Sequence, residues 1–126
     1  MAPTIATVYR DARLVIVDKP AGLPAVPGRG PEKQDCLFAR LQPQFPEVRV
    51  VHRLDWATSG LILFALDVDA QRELSRQFAE RRVDKRYVAV VRGEPVEDQG
   101  TIELPLRRIS IDPRGIASIR FKASRP

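Results

Sequence analysis

With one cysteine, Cys36, the chain cannot close a disulfide within itself, and with one histidine, His52, it cannot assemble a His/Cys metal cluster. Apolar runs are short. The longest, residues 61–66, is strand-sized and far below the length that crosses a bilayer, and the opening Met-Ala-Pro-Thr-Ile-Ala carries neither the basic nor the apolar region of a secretory signal. These absences predict a cytoplasmic, metal-free chain that does not cross a membrane. Lysine is also scarce, occurring only at Lys19, Lys33, Lys85 and Lys122, so arginine dominates the 21 basic residues that outweigh 16 acidic ones. Guanidinium groups bind phosphate bidentately and stack on bases, so this balance suits a nucleic-acid surface, although charge alone does not establish one.

What is present is ordinary for a folded domain: 126 residues, 44% hydrophobic and 29% charged, enough to bury one core. Residues 14–17 form a β-branched apolar strand that stops at Asp18-Lys19-Pro20, and a loop stiffened by Pro24, Pro27 and Pro31 follows. Asp35 is placed to cap a short helix with Leu37, Phe38 and Leu41 inward, ended by Pro43 and Pro46. A strand around Val48, Val50 and Val51 leads into a charged loop, and a second strand, residues 61–66, leaves it. Residues 69–82 carry Ala70, Leu74 and Phe78 on one helical face, with Asp67 or Asp69 as the N-cap. Residues 85–92 alternate as a strand, and further strands are predicted at 101–106 and 116–121. The fold class is α+β, a mixed and largely antiparallel sheet with flanking helices.

The loop between the two strands, His52-Arg53-Leu54-Asp55-Trp56-Ala57-Thr58-Ser59-Gly60, concentrates the chemistry. Loops on rigid scaffolds present reactive groups, and an ionised aspartate can act as a nucleophile or stabilise an oxocarbenium-like sugar as a glycosidic bond opens. The same residues also fit a plain turn, with Asp55 capping it and Arg53 pairing with Asp55. Thr58 and Ser59 read first as turn hydrogen-bonders, and Trp56 as either a stacking surface or a cover over apolar groups. Tyr87 is a core aromatic or a face for a base. Arg81, Arg82, Lys85 and Arg86 form a solvated helix end or a phosphate track. Cys36 reads as a small buried hydrophobe.

The string His-Arg-Leu-Asp-x-x-Thr-Ser-Gly before an apolar strand resembles the signature of the RluA family of pseudouridine synthases. Asp18-Lys-Pro-Ala-Gly22, Val26-Pro-Gly-Arg29, the helix from Arg72 to Phe78 and the segment from Lys85 to Gly93 are similar in order and spacing, so the likeness spans residues 8–108. Val26-Pro-Gly-Arg29 resembles the variant of members that act on both transfer and ribosomal RNA. The resemblance implies that Asp55 is the catalytic aspartate and Tyr87 the active-site aromatic. It further implies that Arg53 contacts RNA and fills the space left by an extruded base; His52 and Thr58 of the same loop and the basic cluster Arg81, Arg82, Lys85 and Arg86 are expected to share in RNA binding. The implied reaction isomerises uridine to pseudouridine without a metal, nucleotide or redox cofactor, the implied partner is structured ribosomal or transfer RNA, and the working form is a monomer.

Family members carry a later Gly-Arg-x-His-Gln-x-Arg segment whose arginine pairs with the aspartate, and no such segment is present. Residues 1–108 therefore read as the N-terminal part of the catalytic domain and 109–126 as a divergent or truncated tail. On that reading the chain is an RNA-modifying enzyme or the catalytic-loop portion of one, expected to make no pseudouridine by itself; the alternatives are a non-catalytic RNA-binding remnant and a truncated product without a stable function.

Overall fold

The computed structural model describes residues 4–103, 106–111 and 119–123. The chain divides into two compact units, Met1–Arg86 and Tyr87–Pro126. In the first, β1 (Ala6–Arg10), β2 (Leu14–Lys19), β3 (Arg49–Val50) and β4 (Gly60–Ala65) form an antiparallel sheet in the order β1-β2-β4-β3, with helices α1 (Leu37–Leu41) and α2 (Val68–Ala79). In the second, β5 (Leu106–Ile111) pairs with β6 (Ile119–Ala123). The α+β class is as the sequence implies.

The sheet grows from a hairpin. Asp11 holds the β1–β2 turn, its carboxylate accepting the backbone N–H of Arg13 at 2.7 Å and of Leu14 at 2.9 Å and the Tyr9 hydroxyl at 2.9 Å. These bonds stabilise the charged form and hold the Asp11 carboxyl below its ordinary pKa. β2 then alternates, with Val15, Val17 and Lys19 all on the buried face. Ile62 and Phe64 of β4 meet them in the core, joined by Leu23, Leu37, Leu41, Phe45, Val48 and Leu54. Each fully buried aliphatic or aromatic side chain contributes about 1.5–3 kcal/mol, so this cluster is the main support of the first unit.

β1 was not legible in the sequence. All five of its residues are exposed, so no inward face marks it, and a register shift between Thr7 and Tyr9 interrupts its ladder. α1 begins one residue later than expected. Cys36, fully buried, is its N-cap and accepts the Ala39 N–H on Sγ at 3.4 Å, while Asp35 instead grips Arg40 through two contacts of 2.9 Å. α2 is capped by Asp67, whose Oδ1 accepts the Ala70 N–H at 2.7 Å, and that carboxylate also takes the Arg13 guanidinium at 2.6 Å. The second contact ties the start of β2 to the start of α2.

At its other end α2 stops short of the expected residue 82. Arg81 turns into the left-handed region at φ 57, its N–H bonds to Phe78 O at 3.1 Å, and the Arg82 N–H reaches Gln77 O at 2.8 Å. This is the two-bond cap that glycine most often makes, here formed around an arginine.

Residues 85–92 do not form the expected strand. Among the described residues no strand pairs with them, and Val88 and Val90 stand 96% and 102% exposed. Alternating sequence supplies a strand's faces, but only a neighbour supplies its ladder. Of the expected strand at 101–106, residues 101–103 are irregular, 104–105 lie outside the described residues, and Leu106 opens β5. Of that at 116–121, residues 116–118 lie outside the described residues and the rest falls in β6.

Candidate active site

The β2–β4 ladder ends where Lys19 faces Gly60, so the loop of residues 51–59 springs from the edge of the buried sheet. Leu54 is buried in the core while Arg53 and Asp55 on either side of it are exposed. One apolar anchor thus fixes the turn and turns both charged neighbours outward. The Thr58 N–H donates to Asp55 O at 3.0 Å and closes the turn locally. Gly60, at φ 132, takes a backbone conformation that side chains disfavour where the turn enters β4.

A second loop is bonded to the first. The Gly22 N–H donates to Trp56 O at 2.8 Å, with Gly22 at φ 83, and the Lys19 ammonium donates to Leu23 O at 2.7 Å, Pro20 O at 2.9 Å and Trp56 O at 3.3 Å. Lys19 has no exposed surface. Burial pulls its pKa below the ordinary lysine value, and the nearby Asp55 charge acts in the opposite sense. A buried cation is costly unless its donors are satisfied, and here all three ammonium hydrogens have carbonyl acceptors. Among the described residues no side-chain hydrogen bond or ion pair engages the Asp55 carboxylate. The result is an exposed carboxylate on a turn whose backbone is held from beneath by a buried positive charge.

On the other side, His52 leaves β3 with its ring stacked on Phe78 of α2, centroids 4.3 Å apart and planes 18° from parallel. Its Nε2 accepts the Leu63 N–H at 3.0 Å. Burial holds the imidazole below its ordinary pKa of 6.5, and the positive charge of Lys85 pushes the same way. Gln71 of α2 donates to Val50 O at 2.9 Å and finishes the same strand end.

Residues 13–124 match the family described as RNA pseudouridylate synthase. The chain belongs to that family. It is 50% identical over 99 residues to the dual-specificity RNA pseudouridine synthase RluA of Yersinia pestis, covering 79% of this chain and 48% of that protein. Identity to the protein of the same name from Escherichia coli K12 is 47% over 104 residues, 82% of this chain and 48% of the relative. The chain thus spans about half the length of the curated relatives it matches. Among solved structures, human RNA pseudouridylate synthase domain containing 1 superposes with a TM-score of 0.69 at 28% identity, over 96% of this chain and 52% of that one.

Within this pseudouridylate synthase fold, Arg53, Asp55 and Thr58 come together on one turn, with Thr58 half-buried. His52 adjoins them but already has intramolecular partners on both β4 and α2. Arg81 and Arg82 occupy the cap of α2, with Arg82 3.6 Å from Glu80, and Lys85 lies 5.8 Å from the centre of the Phe78 ring. Arg86 is exposed. Tyr87 belongs to the second unit and is itself 62% exposed, without regular structure. Trp56 is exposed, as a stacking surface requires. Lys19 is the residue that sequence reasoning missed. Its signal was its place two residues after Val17 and four after Val15, which puts a lysine on the core face of a strand. Among the described residues no group of His, Cys, Asp and Glu could hold a metal ion, and no helix is long and apolar enough to cross a membrane.

Proposed function

We propose that this chain carries the aspartate loop of an RNA pseudouridine synthase that isomerises uridine in ribosomal or transfer RNA, with Asp55 as the catalytic group. The observation that carries the reading is the Asp55 turn: an exposed carboxylate between a buried leucine and a buried, fully bonded lysine, in a chain of this family. The dual-specificity relatives support the choice of RNA.

In the reaction the C1′–N1 bond of uridine breaks, the uracil turns over, and C1′ bonds to C5; C5 then gives up its hydrogen and N1 gains one. The isomerisation needs no net oxidant or co-reactant. Asp55 supports the electron-poor sugar carbon while the base is detached, either by bonding to it or by taking a sugar proton. The uridine must leave its stack first. Arg53, exposed beside Asp55, supplies a planar cation for the vacated space, and Tyr87 a flat face for the extruded base. The arginines and lysine from Arg81 to Arg86 serve the phosphate backbone.

A second reading is favoured by one observation: among the described residues no arginine pairs with Asp55, so the orienting charge expected for catalysis is not in contact with it. On that reading the chain binds RNA without converting it. Incubation of the chain and of Asp55→Asn with unmodified transfer and ribosomal RNA transcripts, followed by chemical mapping of pseudouridine, separates the two. Conversion by the unaltered chain that Asp55→Asn abolishes supports the synthase reading. Salt-sensitive binding with no conversion, persisting when the chain is extended by the C-terminal half of a relative, supports the second, and conversion by Asp55→Asn at the unaltered rate removes Asp55 from the mechanism.

A further inference from the structure

We infer that His52 is a positioning residue: its neutral imidazole closes the end of the β3–β4 ladder and so fixes where the Arg53–Asp55 turn departs from the sheet. β3 is only two residues long, pairing Arg49 with Ala65 and Val50 with Phe64. The next step of the ladder would fall at Leu63, and there the His52 side chain takes the N–H that a further backbone carbonyl would otherwise accept. A strand N–H left without an acceptor in a half-buried position is costly, so the imidazole stands in for the missing rung. A backbone N–H can only donate, which requires the lone pair of Nε2 and places the proton of the neutral ring on Nδ1. Protonation at Nε2 would set two donors against each other.

The surroundings favour the neutral form. Phe78 from α2 stacks on the ring and Leu63 from β4 meets its edge, and neither is charged. Lys85, beyond α2, is the charged group that acts on the ring, and its charge opposes a second positive one. α2 reinforces the rung, because Gln71 bonds Val50 O immediately before the turn. The first residue after this fixed end is Arg53, and the third is Asp55. A shift of the imidazole would therefore propagate into both exposed groups, whereas the Lys19 bonds hold only the far side of the turn at Trp56.

The link to catalysis rests on the proposed function; the link to loop order does not, and the experiment separates them. His52 is the sole histidine, so its C2–H proton resonance in the full chain needs no assignment by mutation. The expected result is a titration midpoint below 6.5, with the Leu63 amide and the amides of residues 53–59 shifting at that same midpoint. His52→Gln, which keeps an acceptor at the Nε2 position, should retain the loop shifts and abolish their pH dependence. His52→Phe, which keeps the stacking ring and removes the acceptor, should lower protection of the Leu63 amide from exchange by roughly fivefold to tenfold, the equivalent of one ordinary hydrogen bond. In pseudouridine formation, single-turnover rates should fall with His52→Phe, recover with His52→Gln and lose their dependence on the His52 midpoint in both. A wild-type midpoint at or above 6.5, or loop amides indifferent to it, would overturn the inference, and that measurement needs neither variant to fold. Absence of pseudouridine from every reaction, those of a form extended by the C-terminal half of a relative included, with the loop titration intact, would count against the proposed function and leave the positioning role standing.

Discussion

Replacing Lys19 by methionine keeps a linear stem of similar reach along the core and removes the ammonium. Three carbonyls then lose this bond: Leu23 O in buried surroundings at 2.7 Å and Pro20 O in partly buried ones at 2.9 Å lose their donor, while Trp56 O, partly buried at 3.3 Å, keeps the Gly22 N–H. Orphaning a buried acceptor costs about 1–3 kcal/mol, and bonds from a charged donor sit toward the top of that range. The two partly buried carbonyls recover some of the loss from water, and methionine avoids the desolvation that a buried cation suffers. The net expectation is a destabilisation of about 2–3 kcal/mol, which for a unit of this size lowers Tm by roughly 10–20 °C. Urea unfolding followed by Trp56 fluorescence measures it, since that indole sits on the affected turn. Amide exchange gives a local check: Gly22, which shares Trp56 O with Lys19, should lose protection beyond the global change. Stability within about 0.5 kcal/mol of wild type, with Gly22 still protected, would refute the assignment of Lys19 as the internal tie between the loops. Arginine at the same place should also destabilise, because a guanidinium overfills a site with no exposed surface.

Arg81→Gly should raise stability by about 0.5–1 kcal/mol by relieving the left-handed backbone, and weaken RNA binding by removing a cation from the end of α2; a stability loss in thermal unfolding would contradict the cap geometry. RNA affinity, read by filter binding, should fall tenfold or more between about 50 and 200 mM salt, and a flat response would exclude a phosphate-binding surface. The folded-state pKa of His52 lies below its unfolded value, so its contribution to stability is full above pH 6.5 and is lost as pH falls from there through the folded pKa; denaturant midpoints at pH 7.5 and 5.5 should differ in wild type and differ less in His52→Gln. Asp11 and Asp67 have the opposite sign of charge and lowered pKa values, so their contribution is present above the ordinary carboxylate value of 3.8 and lost below it, and Asp67→Asn should flatten the acid limb of the stability curve.

The parts of the fold that sequence made legible are those whose neighbours lie close along the chain or whose faces alternate. Strands β2 and β4 announce themselves by apolar runs, α2 by Ala70, Leu74 and Phe78 together with the Asp67 cap, and the Asp55 turn by its position between two strands. β1 was illegible because an exposed edge strand needs no buried face. Residues 85–92 misled for the complementary reason, as they have alternation without a paired neighbour among the described residues. At the site, Arg53 and Asp55 were readable as charged loop residues. The roles of Lys19 and His52 were not, because each depends on a bond to a distant segment: Trp56 lies 37 residues from Lys19, and Leu63 lies 11 from His52. Only the register of the sheet brings these pairs together.

That long reach has a consequence for how the Asp55 turn can be moved or made. A peptide of residues 52–60 would keep the Thr58 bond to Asp55 O but lose its three outside ties at Trp56 and His52, since the two donors to Trp56 O come from Lys19 at the end of β2 and from Gly22, and the acceptor at His52 must find an amide of β4. Grafted alone onto another scaffold, the motif would carry its side chains without their directions. A transplant that preserved its geometry would have to bring the end of β2, with Lys19 and the Gly22 turn, as a second discontinuous segment. During folding, likewise, the turn can acquire its final shape only after β2 and β4 have paired, so its order should report on completion of the sheet and not on any local preference of its nine residues.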